Sequence, residues 1–521
     1  MKNLYVRIMA IMLFVMCVIL PQAAHAKPAT IIFIPLDNRP VCKNYAEQTM
    51  RAAGYNVIMP PTKLIASHDA PANPEALLEW LTKKAPSADA AVISTDALIY
   101  GGLVESRTHH VTEKLLRQRL KRVSELKTVL PIKIYAFSTI MRTPRASFGN
   151  VEPHYYEKLG PAIFAYSGLT DKAEQKQLTP TEALTKQALE ANIPRAELED
   201  WLTRRQTNLN INFELIRLAA NKRFHYLAVG KDDNAPLSAT HMEARKLSFE
   251  NFNVSPDSFQ IIDGVDQLGL LLLTRAHNDI QGSKPFINVV YGPGRGSETL
   301  PQYSDSFLRD SVPQQITAAG GQITSDPAQA QFILAINTPE NGIVKDSTAD
   351  DNQFFASQAN RLFTSKLTEL FDAGYHVSLA DISYSNGSDN GFMNFFMKNS
   401  YPEKLKAYNG WNTADNTIGY AIAQGILSER TAAKKLERQL AQRLVDDWFY
   451  QSNARRTISE LLKNDGRSLL KYNLGNAEKT ILSKAEEECR TLAHNYNYTK
   501  RLKFEITFPW HRLFEAEIKI T

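Results

Sequence analysis

Cysteine is nearly absent, with three residues in a chain of 521, at positions 17, 42 and 489. That excludes a disulfide framework. Cys42 and Cys489 could form one bridge at most, and a chain of this length needs no staple to build a core. Charge of one sign is lacking too. The formal net charge is +5, two units of which belong to Lys2 and Arg7, and no basic run interleaves with aromatics, so no nucleic-acid partner is expected. After residue 26 no apolar stretch is long enough to span a bilayer as a helix, so no membrane partner is expected either. HExxH and CxxC spacings and the Gly-x-Ser-x-Gly elbow are also missing, which argues against the ordinary zinc and serine hydrolase arrangements. The glycine-rich YGPGRGSE, residues 291–298, lacks the phosphate-loop lysine spacing and reads as a turn. No motif asks for a cofactor, whether a metal binds is left open, and oligomeric state is not legible.

What is present begins with a leader. Lys2 and Arg7 precede the apolar run Ile8–Leu20, and Pro21 and Ala24-His25-Ala26 follow. This is the layout of a secretory signal peptide over 1–26, which implies a periplasmic or extracellular protein. Apolar strand-like runs then alternate with helical stretches: IIFIPL, YNVIMP, AAVIS, IKIYAFSTI, FHYLAVG and FQIID. Such alternation predicts an α/β fold with a mainly parallel sheet. The predicted organisation is an α/β domain over 27–283 with a helical insertion at about 155–222, and a second, smaller α/β unit over 284–428. A helical region over 429–521 closes the chain with short strands broken by Pro509, expected to return to a sheet edge.

In open parallel sheets ligands bind beyond the carboxyl ends of the strands, and that is where the polar residues collect. The first strand runs into Asp37, Asn38 and Arg39, and AAVIS into Asp96, followed by Glu105 and Arg107. The fourth strand runs into Arg142, the fifth into Lys231, Asp232 and Asp233, and VSLAD into Asp381, Tyr384 and Asn386. Adjacent carboxylates at 232 and 233 split acid and base roles or hold a divalent cation if the chain turns there. The arginines are suited either to an anionic substrate group or to ion pairs with Asp37, Asp96 and Glu105. In GWNTADNTIG, Trp411 and Asn412 suit a hydroxyl-rich ligand, with the indole as a stacking platform; a helix cap followed by a buried polar seam explains the stretch nearly as well.

PLDNRPV, STDALIYGGLVESR, FSTIMRTP, GKDDNAP, ADISYSNGSDN, GWNTADNTIG, DDWFYQSNAR and FPWHRLFEA resemble, in this order, the segments of a bacterial exported family known as domain of unknown function 4127. The resemblance implies no activity, and its motifs fall on the strand ends already singled out. One departure is Asp266-Gln267, where the family pattern leads one to expect Asp-Glu. The expected function is an exported hydrolase acting on a small-molecule or oligosaccharide substrate, a glycosidase with paired carboxylates. Asp232 or Asp233 is cast in one role and Asp96, Glu105 or Asp37 in the other. The alternatives are a non-catalytic periplasmic binding protein for a small polar or anionic ligand, and a metal-dependent hydrolase ligated by Asp37, Asp232, Asp233 and His241.

Overall fold

The computed structural model describes residues 28–129 and 132–521; the leader read at 1–26 lies outside the described residues. Sheet A contains β1 (Thr30–Ile34), β2 (Asn56–Ile58), β3 (Ala90–Ser94), β4 (Lys133–Ile140), β5 (Tyr226–Lys231) and β6 (Phe259–Asp263). All pair in parallel, in the order β2-β1-β3-β4-β5-β6. Sheet B contains β7 (Phe286–Tyr291), β8 (Gln322–Ile323), β9 (Phe332–Asn337), β11 (Val377–Asp381) and β13 (Leu405–Asn409), again parallel, ordered β13-β11-β9-β7-β8. Between them in sequence, β10 (Lys345–Asp346) and β12 (Tyr384–Ser385) pair as a short parallel ribbon. The fold is thus mainly parallel α/β, as the alternation predicts, followed by a helical C-terminal region. In each sheet the second strand lies outside the first and the third on its other side, so each has a point where the winding reverses.

The two sheets share one core. Helices Leu268–Gln281 and Ala414–Leu427 lie in it, and apolar residues of β1 and β9 pack into the same cluster. This explains Leu270–Leu273, which lack amphipathic spacing: a helix covered on every side is apolar all round. Glycine permits the close approach. A Cβ on Gly269 would come within 2.9 Å of the Phe33 ring, and one on Gly425 within 2.6 Å of Phe332.

The helical insertion comprises Tyr156–Glu174, Pro180–Asn192 and Arg195–Ala220, with Pro180 opening the second helix behind a Thr179–Glu182 capping box. In the C-terminal region, Leu444–Ala454 forms a π-helix whose eleven residues are all buried, far longer than the single-turn bulges usual for this geometry. The final strands β14 (Phe504–Thr507) and β15 (Glu517–Ile520) do not join either large sheet. They pair with each other, antiparallel, because Pro509 lies in the connection that turns the chain back. Cys42 and Cys489 are unpaired, each buried in a different apolar cluster. Among the described residues no helix is long and apolar enough to cross a membrane.

Candidate functional site

A cleft of about 540 Å³ lies at the carboxyl edge of sheet A, roofed by the β10/β12 ribbon and the C-terminal region. Arg39, Arg107, Arg142, Asp232, Asp233, Asn386 and Asn412 all reach its wall. Asp233 has φ 31°, so the chain turns left-handed straight after β5 and brings consecutive carboxylates to one cavity instead of opposite faces. Asn386, Asn412 and Tyr303 on the same wall are also left-handed, at φ 59°, 66° and 67°. Half of the eight non-glycine residues of this kind among the described residues therefore line one cleft, the clustering found where backbone strain serves a site.

The arginines are all engaged, though not with every partner expected. Arg107 donates to Asp232 from Nε at 3.1 Å and Nη2 at 2.5 Å. Arg142 donates to Asp233 at 2.7 Å and to Glu152 at 2.6 Å. Arg39 clamps Asp37 and, through both terminal nitrogens, Asp266 at 3.2 and 2.7 Å. Asp266 also accepts from Asn412 at 2.8 Å. Asp96 and Glu105 hold no arginine.

Burial sets the protonation pattern. The Asp232 carboxyl is raised by burial, which the Arg107 guanidinium opposes and the neighbouring Asp233 charge reinforces. Burial likewise raises Asp266 against the pull of Arg39. Asp96 lies behind the cleft, fully buried, with only Thr139 donating to its side chain at 3.3 Å. Burial pushes it up to about 8, the Thr139 bond opposing and the Asp232 charge adding. Half-buried Glu105, beside Gly102 and off the cleft wall, is raised by burial to about 7.

Asp96 gives a testable pH dependence. Its folded carboxyl holds a proton that the unfolded chain releases near the ordinary value of about 3.9. The stability that proton contributes is present in full below about pH 4 and is lost as pH rises to about 8. Asp96→Asn, which mimics the protonated form, is expected to flatten the fall in unfolding free energy between pH 5 and 8 by up to about 1.4 kcal/mol per pH unit. Urea unfolding at pH 5, 6.5 and 8 measures it, and an unchanged slope refutes the assignment.

Several expected members lie elsewhere. Lys231, one position before Asp232, points to the other face of β5, where its ammonium pairs with Asp263 at 2.8 Å and with Asp305. Asp381 and Tyr384 belong to the carboxyl edge of sheet B: Tyr384 lines a second cleft there, and Asp381 is buried behind it. Trp411 is not a platform for a ligand: its ring is buried in the shared core against Phe514, because the chain dives there into the fully buried helix Ala414–Leu427 capped by Thr413. Asp37 and Asn38 stand behind Arg39 rather than on the wall. His241 bonds to Asp171 at 2.6 Å and does not line the cleft, so the metal-ligand set of Asp37, Asp232, Asp233 and His241 does not form. Among the described residues no group of three or more His, Cys, Asp or Glu is arranged for a metal ion.

Other residues on or behind the wall were not anticipated. Trp510 donates to Asn38 at 2.7 Å, with the Arg39 and Arg512 guanidiniums 5.6 and 4.8 Å from its ring. Glu152, Asp266, Asp346 and Arg455 complete the ion pairs. The FPWHR motif was the available signal for Trp510, but it reads as a strand end. Gln267, the departure from the family pattern, is fully buried and donates to the Asp263 carbonyl at 2.6 Å. It does not line the cleft, so the missing carboxylate removes nothing from its wall.

The loops carrying Asn386 and Asn412 are anchored from behind by the π-helix. Asp447 accepts from the Gly410 amide at 2.7 Å, Ser452 Oγ from the Ser388 amide at 2.6 Å, and Trp448 Nε1 donates to Asn390 at 2.9 Å. No curated protein matches the chain. A family model described as a protein of unknown function, DUF4127, matches residues 31–519. With its fold and its eight motif segments inside that match, the chain belongs to the DUF4127 family.

Proposed function

We propose that the cleft binds an oligosaccharide and hydrolyses a glycosidic bond, with Asp232 as the general acid and Asp233 as the base or nucleophile. One observation carries this reading: two consecutive carboxyls face the same cavity from different environments. The Asp232 side chain is 5 % exposed and raised by burial, whereas that of Asp233 is 25 % exposed. Glycoside cleavage needs one carboxyl that keeps its proton and one that does not. The wall suits a sugar. The aromatic rings of Phe148 and Tyr472, stacked 5.0 Å apart and not buried, border amides, carboxylates and guanidiniums, and such rings cover apolar sugar faces while the polar groups exchange hydrogen bonds with hydroxyls. The leader sequence favours export, where glycans are encountered, and N-terminal sequencing of secreted material starting at Lys27 tests it.

The completeness of the ion pairs favours a second reading, a binding protein without chemistry. Product analysis separates the two. Incubation of residues 27–521 with wall-derived and plant oligosaccharides yields shortened products under the first reading and unchanged ligand under the second. Tyr472→Ala serves either reading. It removes part of the platform, and KM or Kd is expected to rise about tenfold with kcat little altered. Steady-state kinetics or calorimetry decides, and an unchanged constant removes Tyr472 from the ligand site.

A further inference from the structure

Sheet B has a reversal of its own. From β7 the chain winds to β8 on one side and afterwards to β9 on the other, and the crevice outside the carboxyl ends of two such strands is where open α/β sheets take ligands. A second cleft, of about 530 Å³, lies there. Pro293 lines it from the end of β7, and Asn337 and Thr338 from the end of β9.

The β10/β12 ribbon separates the two clefts. Successive strand residues point to opposite sides. Asp346 and Asn386 face the cleft of Asp232 and Asp233, whereas Lys345 and its register partner Tyr384 line the other. The floor of the second cleft is a connected network. Asp381 accepts from Asn337 at 2.8 Å and from the Asp389 amide at 2.9 Å, and Asp389 accepts from Asn360 at 3.0 Å.

Its chemistry narrows the ligand. Glu340, Asp351 and Asp389 line it against one lysine, Lys345, which is already paired with Asp351, so a phosphate or carboxylate would meet net negative charge. The glycine-rich turn after β7 packs on the chain itself: Gly294 lies against the Glu340 backbone, and the Arg295 amide donates to the Glu340 carbonyl at 3.0 Å instead of to an anion. The Tyr384 hydroxyl has no hydrogen-bond partner among the described residues, and Phe355, 89 % exposed, lies on the cleft wall. An amide and carboxyl floor beside an exposed ring matches hydroxyl groups flanking an apolar ring face.

We propose that the carboxyl edge of sheet B is a second binding site, specific for a neutral, polyhydroxylated ligand of the saccharide class. It uses none of the side chains assigned to hydrolysis, so it stands or falls separately from that activity.

The test titrates full-length mature chain carrying Asp233→Asn, which slows turnover and leaves the Arg107–Asp232 pair intact, with maltotetraose, cellotetraose and N-acetylated chitotetraose in a calorimeter. The same background with Phe355→Ala and Tyr384→Ala, both partly or fully exposed positions, is compared, with thermal unfolding as the control. Binding of at least one probe that weakens tenfold or more in the Phe355/Tyr384 variant, at unchanged melting temperature, supports the site. Equal binding by both proteins overturns it, as does silence toward all three probes at millimolar concentration. Hydrolysis by wild type without Tyr384-dependent binding sinks only this inference. Tyr384-dependent binding without hydrolysis sinks only the catalytic reading.

Discussion

Asparagine at positions 232 and 233 together is expected to slow oligosaccharide hydrolysis by about 10³-fold or more, the combined contribution of a positioned acid and its partner carboxylate. The amide keeps the shape of each side chain and removes both the proton that Asp232 would deliver and the negative charge of Asp233. It also leaves the buried Arg107 guanidinium with a neutral partner at 232 and only the longer pairing to Glu152 at 3.7 Å, and weakening a buried pair from one side destabilises the fold. The single Asp233→Asn variant avoids that complication, because Arg142 keeps Glu152 and the 233 side chain is partly exposed. It should fold as wild type and lose about 10²-fold in kcat. Product formation per enzyme over time measures both variants. A loss under tenfold in the double variant removes the pair from the chemistry.

The second large effect concerns stability. Asp266→Ala strips Arg39 of one of its two carboxylates and leaves Asn412 without its acceptor, all at the boundary between sheet A and the loop after β13. Breaking a buried pair from one side costs about 3–5 kcal/mol, chiefly because the remaining charge stays desolvated. Urea unfolding of the variant is expected to show a loss of this size. Asp266→Asn, which keeps an acceptor oxygen for Arg39 or Asn412, is expected to lose less. A loss below about 1 kcal/mol for the alanine variant would mean that water or a shifted side chain solvates Arg39.

The strands of sheet A were legible because a parallel sheet covered on both faces is written as near-continuous apolar runs. Asp232 and Asp233 were legible for the same reason: the charge stands out where the run stops. The strand β13, LKAYN, was not, since it has no β-branched residue to mark it. Face assignment failed at Lys231, because three charged residues in a row look like one cluster in a sequence, while a strand end sends them to different sides. Trp411 failed for another reason. An indole among amides fits a ligand platform and a helix entering a core equally well, and only the tertiary neighbours, here Phe514, decide. Trp510 and Asn38, bonded across 472 positions, carry no local signal of their meeting.

That last bond has a bearing on how the protein is made. Asn38 follows the first strand to be synthesised, and Trp510 lies almost at the end of the chain. The same late segment reaches the early helix Asn44–Ala52: the Ile518 amide donates to the Tyr45 hydroxyl at 3.1 Å, and Asn44 donates to Glu517 at 2.5 Å. Domains tend to fold as they emerge from the ribosome, N-terminal part first. Here the first α/β unit can build its strands during translation but must wait for the segment from Trp510 to Glu515 before the wall of its cleft is closed. A nonsense codon after residue 505 would therefore release a polypeptide with both large sheets encoded and the cleft of Asp232 and Asp233 open on one side.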